Sequence, residues 1–171
     1  MKHLWSPWRM EYLTEERPRG CIFCAKIAEH RDPENLIAWR GERAFVMLNR
    51  YPYNAGHLMV IPYDHVPSVE DLATETLTDL MLLVNRCLAA LRRAMSPQGF
   101  NIGANLGHVA GAGVVDHVHL HIVPRWEGDT NFMPVLADVR VVPQLLADTY
   151  VKVRAALEAA GPAAASSACA R

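Results

Sequence analysis

"DHVHLHIVPRW", Asp116–Trp126, places three of the chain's eight histidines at alternate positions, separated by Val118 and Leu120 and followed by Ile122 and Val123. In an extended strand successive side chains point to opposite faces. The spacing therefore predicts His117, His119 and His121 in a row on one face, with Val118, Leu120 and Ile122 entering a core. The polar face of a half-buried strand ordinarily carries Thr, Lys, Glu or Ser, so the row asks for a chemical reading beside the plain one. Residues two apart on a strand can both reach one metal ion. Alternatively, an imidazole with a reference pKa of about 6.5 offers an unprotonated nitrogen nucleophile near neutral pH without a separate base. A neighbouring histidine would then hold phosphate oxygens or donate to a leaving group.

Just upstream, "GHVAGAG" (Gly107–Gly113) is a glycine-rich loop of the kind that turns backbone N–H groups toward an anion. A histidine row behind such a loop indicates phosphorus chemistry. "FNIGANLG" (Phe100–Gly107) reads as a strand antiparallel to the histidine strand across that loop. Further upstream, "LIAWR" (Leu36–Arg40) and "AFVMLN" (Ala44–Asn49) flank "GER" as a hairpin, and "HLMVIPY" (His57–Tyr63) resumes after the breaker "YPYNAG". From Leu77 to Met95 the apolar residues follow helical spacing and stop at "SPQG", with Ser68, Thr74 and Thr76 as candidate caps. "VPQLLADTYVKVRAALEAA" (Val142–Ala160) suits a second helix with Pro143 in its first turn. The expected class is α+β, an antiparallel sheet of about five strands with one long and one C-terminal helix.

With 171 residues the chain suits one domain, expected over residues 1–160, of which 1–35 form an N-terminal segment; the small-residue stretch 161–171 reads as a disordered tail. A net charge of −1 predicts neither nucleic acid nor a membrane surface as partner. No apolar run approaches the roughly 20 residues needed to span a bilayer, and the aromatic, proline-interrupted start is unlike a secretory signal, so the expected location is the cytoplasm. The four cysteines form no disulfide framework. Cys21 and Cys24 make a CxxC that reads first as half a metal site and second as a redox pair. The redox reading needs a preceding strand and a helix opening at the motif, and "RPRGCIFCAKIAEH" lacks the strand. Cys87 falls in the long helix as a small core residue.

"HVHLHIV" matches the signature of the histidine triad (HIT) family of nucleotidyl hydrolases and transferases. The resemblance extends to "LNRYPYNAGHLMVIPYDH" (Leu48–His65), to the loop and triad in "NLGHVAGAGVVDHVHLH" (Asn105–His121), and to the exit "VPRW" (Val123–Trp126). "LWSPWRMEYL" (Leu4–Leu13) and "RWEGDTNFMPV" (Arg125–Val135) resemble the branch containing diadenosine tetraphosphate phosphorylases. The resemblance implies the HIT fold, a homodimer with sheets joined across the long helix, and purine nucleotides or dinucleoside polyphosphates as substrates. It makes His119 the nucleophile, His117 the donor of a carbonyl that fixes the tautomer of His119, and His121 a contact to phosphate oxygens. It assigns nucleotide or phosphate contacts to Asn49, His57, Asn105, Gly111, Ala112, Gly113 and Trp126, though turn chemistry at the two asparagines and ordinary packing of Trp126 are equally good readings. It also implies a structural zinc held by Cys21, Cys24, His65 and His117, with no metal required for the chemistry. Two departures stand out: Ala112 and Gly113 occupy the loop where many relatives carry a serine hydroxyl, and Asn49 stands where many carry Asp. Other outcomes within the family are a nucleoside phosphoramidate or aminoacyl-adenylate hydrolase, and outside enzymes a nucleotide-binding adaptor. His108 and Asp116 are expected on exposed loop positions.

Overall fold

A computed structural model of the chain describes residues 20–129 and 144–160. In chain order these form helix α1 (Ile22–Ala28), strands β1 (Ile37–Arg40), β2 (Ala44–Leu48) and β3 (Leu58–Pro62), helix α2 (Thr74–Met95), strands β4 (Gly99–Gly103) and β5 (Leu120–Arg125), and helix α3 (Leu146–Ala159). The strands make one five-stranded sheet in the order β1-β2-β3-β5-β4, with every pairing antiparallel. The expected α+β class is therefore the observed one. "LWSPWRMEYL", the first residues of the C-terminal helix segment, most of "RWEGDTNFMPV" and the 161–171 stretch lie outside the described residues.

Period-two alternation sorts the core into two layers. Ala44, Val46, Leu48, Leu58, Val60, Val118 and Ile122 pack with Leu80, Val84, Cys87 and Leu91 of α2 and Val153 and Leu157 of α3. Their neighbours along the strands, Phe45, Met47, Met59 and Ile61, pack on the opposite face with Ile37 and with Phe23 of α1. All five residues of β2 and of β3 are buried. The central strands are thus covered on both faces, which is why they read as continuous apolar runs rather than as an alternation. The helical layer is tied to the sheet edge by polar contacts. The Tyr150 hydroxyl donates to the Ile37 carbonyl at 3.1 Å, and Arg86 donates to the Leu157 carbonyl at 2.7 Å while its guanidinium lies 3.7 Å from the Trp39 ring centroid. Cys87 is a core residue, as expected, and burial pushes its thiol up to about 12.

Several boundaries differ from the sequence reading. Strand β4 ends at Gly103, not Gly107, because its partner β5 begins only at Leu120; Gly103 already faces His121, and beyond it there is nothing to pair with. His117 to His119 run outside the ladder, where the Val118 N–H donates to the Val66 carbonyl at 2.8 Å. None of the candidate caps closes α2. Its N-cap is Ala73, while Thr76 donates instead to Asp64 at 3.1 Å. Helix α1, opening directly after Cys21, was not expected. Seven residues are too few to show a clear helical period, and the helix is held by the burial of Phe23 more than by its own propensity.

The turn before β3 relies on Gly56, which has φ +75°; a Cβ there would sit 2.7 Å from Met95 Sδ, 3.2 Å from Pro124 Cγ and 3.3 Å from Leu91 Cδ2. Positive φ and overpacking both oppose a side chain, so Gly56→Ala should destabilise the protein by about 1–3 kcal/mol. Equilibrium urea unfolding beside the parent chain measures this; an unchanged midpoint would show that the turn relaxes freely.

Candidate active site

The histidine row lies on the sheet face that carries Phe23 and α1, opposite the long helix. All three members are buried: His117 is 1%, His119 6% and His121 9% exposed. The partners that the ring nitrogens of such enclosed imidazoles meet determine the tautomers. His119 Nδ1 lies 2.9 Å from the His117 carbonyl oxygen. A carbonyl only accepts, so the proton of neutral His119 is on Nδ1 and Nε2 keeps its lone pair. Burial lowers the pKa of His119, against the opposing pull of that carbonyl. The ring is therefore neutral at physiological pH and holds a nitrogen nucleophile.

His121 is set in the opposite state by a chain that begins at a backbone amide. The Tyr53 N–H donates to His57 Nδ1 at 3.1 Å, so neutral His57 carries its proton on Nε2. That nitrogen lies 2.9 Å from His121 Nδ1 and donates to it, leaving the His121 proton on Nε2. Burial, reinforced by the charges His121 and His119 would carry, pushes His57 down to about 3. Burial followed by the influence of His119 takes His121 down to about 4. The rings of His119 and His121 are 4.8 Å apart, edge to face. Side by side they present one lone pair and one N–H donor, the two functions that nucleophilic displacement at phosphorus requires.

The four residues read as metal ligands converge. Cys21 Sγ is 3.2 Å and Cys24 Sγ 3.6 Å from His117 Nδ1; Cys24 Sγ is 3.5 Å and His117 Nδ1 3.2 Å from His65 Nδ1. One ligand atom from each of the four lies within 4.8 Å of all the others. A zinc tetrahedron with bonds of about 2.3 Å to sulfur and about 2.0–2.1 Å to nitrogen has edges of about 3.6 Å between sulfur and nitrogen and about 3.3 Å between nitrogens. The donor set and spacing fit that ion. His117 Nε2 donates to the Pro62 carbonyl at 2.9 Å, which turns the Nδ1 lone pair toward the cluster, as second-shell partners of metal-bound histidines do. Both cysteines are free thiols, and burial followed by the neighbouring Cys21 raises the Cys24 pKa, a cost that a bound cation reverses.

The remaining expected residues are more dispersed. Asn49 accepts from the Tyr51 N–H at 2.9 Å, and Asn105 donates to the Gly111 carbonyl at 3.5 Å, so both do turn work here. The N–H groups of Gly111 and Ala112 were expected to face an anion. They are instead donated inside the turn, to His108 and Gly107 carbonyls at 3.0 and 3.3 Å, because the loop closes as a short 3₁₀ turn. Among the described residues, the amides of Gly113 and Val114, just after this turn, make no backbone hydrogen bond. Trp126 stands apart from the row; its indole donates to the Met95 carbonyl at the end of α2, and with Asn54, Ala55 and Asp129 it lines a separate depression. Arg125 is engaged by Asp129 at 2.6 and 2.8 Å. His108 and Asp116 are exposed, as expected. Sequence reasoning passed over Phe23, whose ring meets His117 at 5.4 Å and His119 at 5.0 Å, and Tyr53; only the position of Phe23 inside the CxxC hinted at its role.

The depressed pKa of His57 links stability to pH. The unfolded chain protonates this histidine below about 6.5, the folded chain only near 3. Between those values the unfolded state binds the extra proton, so stability falls as pH falls, and above the upper value His57 adds no pH dependence. Urea unfolding between about pH 7 and 5 should show a decline to which His57 contributes up to about 1.4 kcal/mol per pH unit. His57→Gln should flatten the decline, and an identical slope in the variant would show that His57 is not held neutral.

Comparison with known proteins places this geometry. The HIT domain family model matches residues 32–128. A Mycobacterium tuberculosis protein named AP-4-A phosphorylase is 40% identical over 157 residues, which cover 87% of this chain and 80% of that protein. An adenosine 5'-monophosphoramidase of Schizosaccharomyces pombe is 33% identical over 106 residues, 62% of this chain and 74% of that one. Among solved structures, a Zn-bound histidine triad family protein from Mycobacterium smegmatis superposes with a TM-score of 0.67 at 30% identity, covering 82% of this chain and 94% of its own. The chain belongs to the HIT domain family.

Proposed function

We propose that the protein is a nucleotidyl transferase that cleaves dinucleoside polyphosphates such as diadenosine tetraphosphate through a nucleotidyl-histidine intermediate. The observation that carries this reading is the pair of opposed tautomers, His119 with a lone pair and His121 with an N–H on Nε2. His119 Nε2 attacks the α-phosphorus, a P–N bond forms, and the P–O bond to the bridging oxygen breaks. His121 Nε2–H donates to the departing oxygen, and ATP leaves. In the second step an acceptor oxygen attacks the phosphorus and the P–N bond breaks, which restores the His119 lone pair. The similarity to the M. tuberculosis phosphorylase supports inorganic phosphate as that acceptor. Phosphate outcompetes far more concentrated water only where a site holds it in line, and proximity can supply roughly 7–11 kcal/mol toward this. Arg125, already bound by Asp129, is a poor anchor for it. The S. pombe phosphoramidase supports a second reading, hydrolysis of a nucleoside phosphoramidate by the same first step.

Chromatography of the products from diadenosine tetraphosphate at millimolar phosphate tests the reading. ADP with ATP is expected, and His119→Ala should lower turnover by about 10⁴-fold or more while nucleotide still binds. AMP with ATP regardless of phosphate would make the protein a hydrolase. Cleavage of an adenosine phosphoramidate alone would favour the second reading, and binding without any turnover an adaptor.

The Cys21, Cys24, His65 and His117 cluster would hold zinc in a purely structural role, since four protein ligands leave no open position; bound there, the ion supplies rigidity. The expected setting is a cytoplasmic homodimer. Elemental analysis of protein purified without added metal should find about one zinc per chain, and Cys24→Ser should lose both the metal and thermal stability. Metal-free protein with unchanged melting would overturn the assignment.

A further inference from the structure

The loop between β2 and β3 carries a residue that neither the triad nor the metal cluster accounts for. Tyr53 is 46% exposed, yet its ring leans over two buried histidines, 4.6 Å from the His57 centroid at an interplanar angle of 39° and 5.7 Å from that of His121 at 30°. Its backbone N–H is the donor from which the tautomers of both follow. One residue thus supplies the first hydrogen bond of the relay and the cover over it. The cover is held in place by its neighbour. Asn54 donates to Asp129 at 2.8 Å and to the Pro124 carbonyl at 3.2 Å, and Asp129 is in turn bound by Arg125 and the Trp126 N–H at the exit of β5. The loop is clamped to the strand that carries His121.

We propose that Tyr53 is a positioning residue for His121, acting through His57: its ring shields the paired imidazoles from water, and so keeps His121 in the state that presents an Nε2–H donor to the leaving group. The mechanistic part of this inference rests on the reading of His121 as that donor; the tautomer itself does not. Water admitted to the pair would offer each ring nitrogen an alternative partner and relieve the burial that holds the rings neutral. The ionisable groups acting on His57 are His121 from β5 and His119 just before it, and Tyr53 lies beside it on the same loop; His119 acts on His121. The phenol is not required for a shield, and the aromatic face is.

The experiment is a long-range nitrogen–proton NMR titration of the imidazoles in the full chain as purified, without substrate. The parent chain and Tyr53→Phe should both show His57 and His121 as Nε2–H tautomers that stay neutral well below pH 6. In Tyr53→Ala, His121 should mix tautomers and titrate about one unit or more higher, and the acid limb of turnover on diadenosine tetraphosphate should move with it. If Tyr53→Ala fails to fold, Tyr53→Leu, apolar but without a ring to cover both imidazoles, is read the same way. Unchanged tautomers and titration in the ring-less variant would overturn the proposal, as would a Tyr53→Phe spectrum that departs from the parent as far as that of Tyr53→Ala. A parent chain without turnover would defeat the functional reading and leave the NMR result to decide on Tyr53.

Discussion

The hydrogen bond from His119 Nδ1 to the His117 carbonyl joins the two chemical centres of this protein. His117 is bound through three polar atoms at once: Nδ1 faces the cysteine pair and His65, Nε2 donates to Pro62, and the carbonyl receives His119. A residue held through both ring nitrogens and its carbonyl has little freedom to tilt, so the orientation of His119 follows that of its neighbour in the cluster. Phe23 tightens the connection, since it lies between the two cysteines in sequence and packs its ring on both histidines. Among the described residues no fully buried side-chain nitrogen or oxygen lacks a hydrogen-bond partner.

Burial of the histidine row comes from the sheet being covered twice. An antiparallel sheet commonly leaves one face to water; here α2 and α3 take one face and α1 closes part of the other. The row of histidines therefore faces protein, and burial leads the downward shift in each of His57, His117, His119 and His121. In that setting protonation states are decided by which backbone group each ring meets. The chain uses one carbonyl and one amide, those of His117 and Tyr53, to give adjacent rings opposite polarity. A free lone pair and an N–H donor result without any carboxylate in either relay.

Much of this was legible in the chain itself. Alternation of histidine with Val118, Leu120 and Ile122 requires opposite faces in any extended segment, so the row and the core beneath it follow from period two alone. Helical spacing from Leu80 to Leu91 and the breakers around Gly56 and Pro97 likewise determined the long helix and the succession of strands along the chain, because local sterics and burial act over a few residues, whereas the β3–β5 pairing came only with the tertiary structure. The pairing of Cys21 and Cys24 with His65 and His117 was reached by resemblance and not by local pattern, since 41 to 96 residues separate the members that meet. What only the tertiary structure decided is the proton placement and the boundaries. The tautomers of His119 and His121 depend on contacts that exist only once loop, strand and cluster are packed together. The end of β4 at Gly103 depends on where its partner begins, and the turn amides of Gly111 and Ala112 were consumed by a closure no composition reveals. Sequence determines what a segment can become on its own; which lone pair is left free is settled by the neighbours it is folded against.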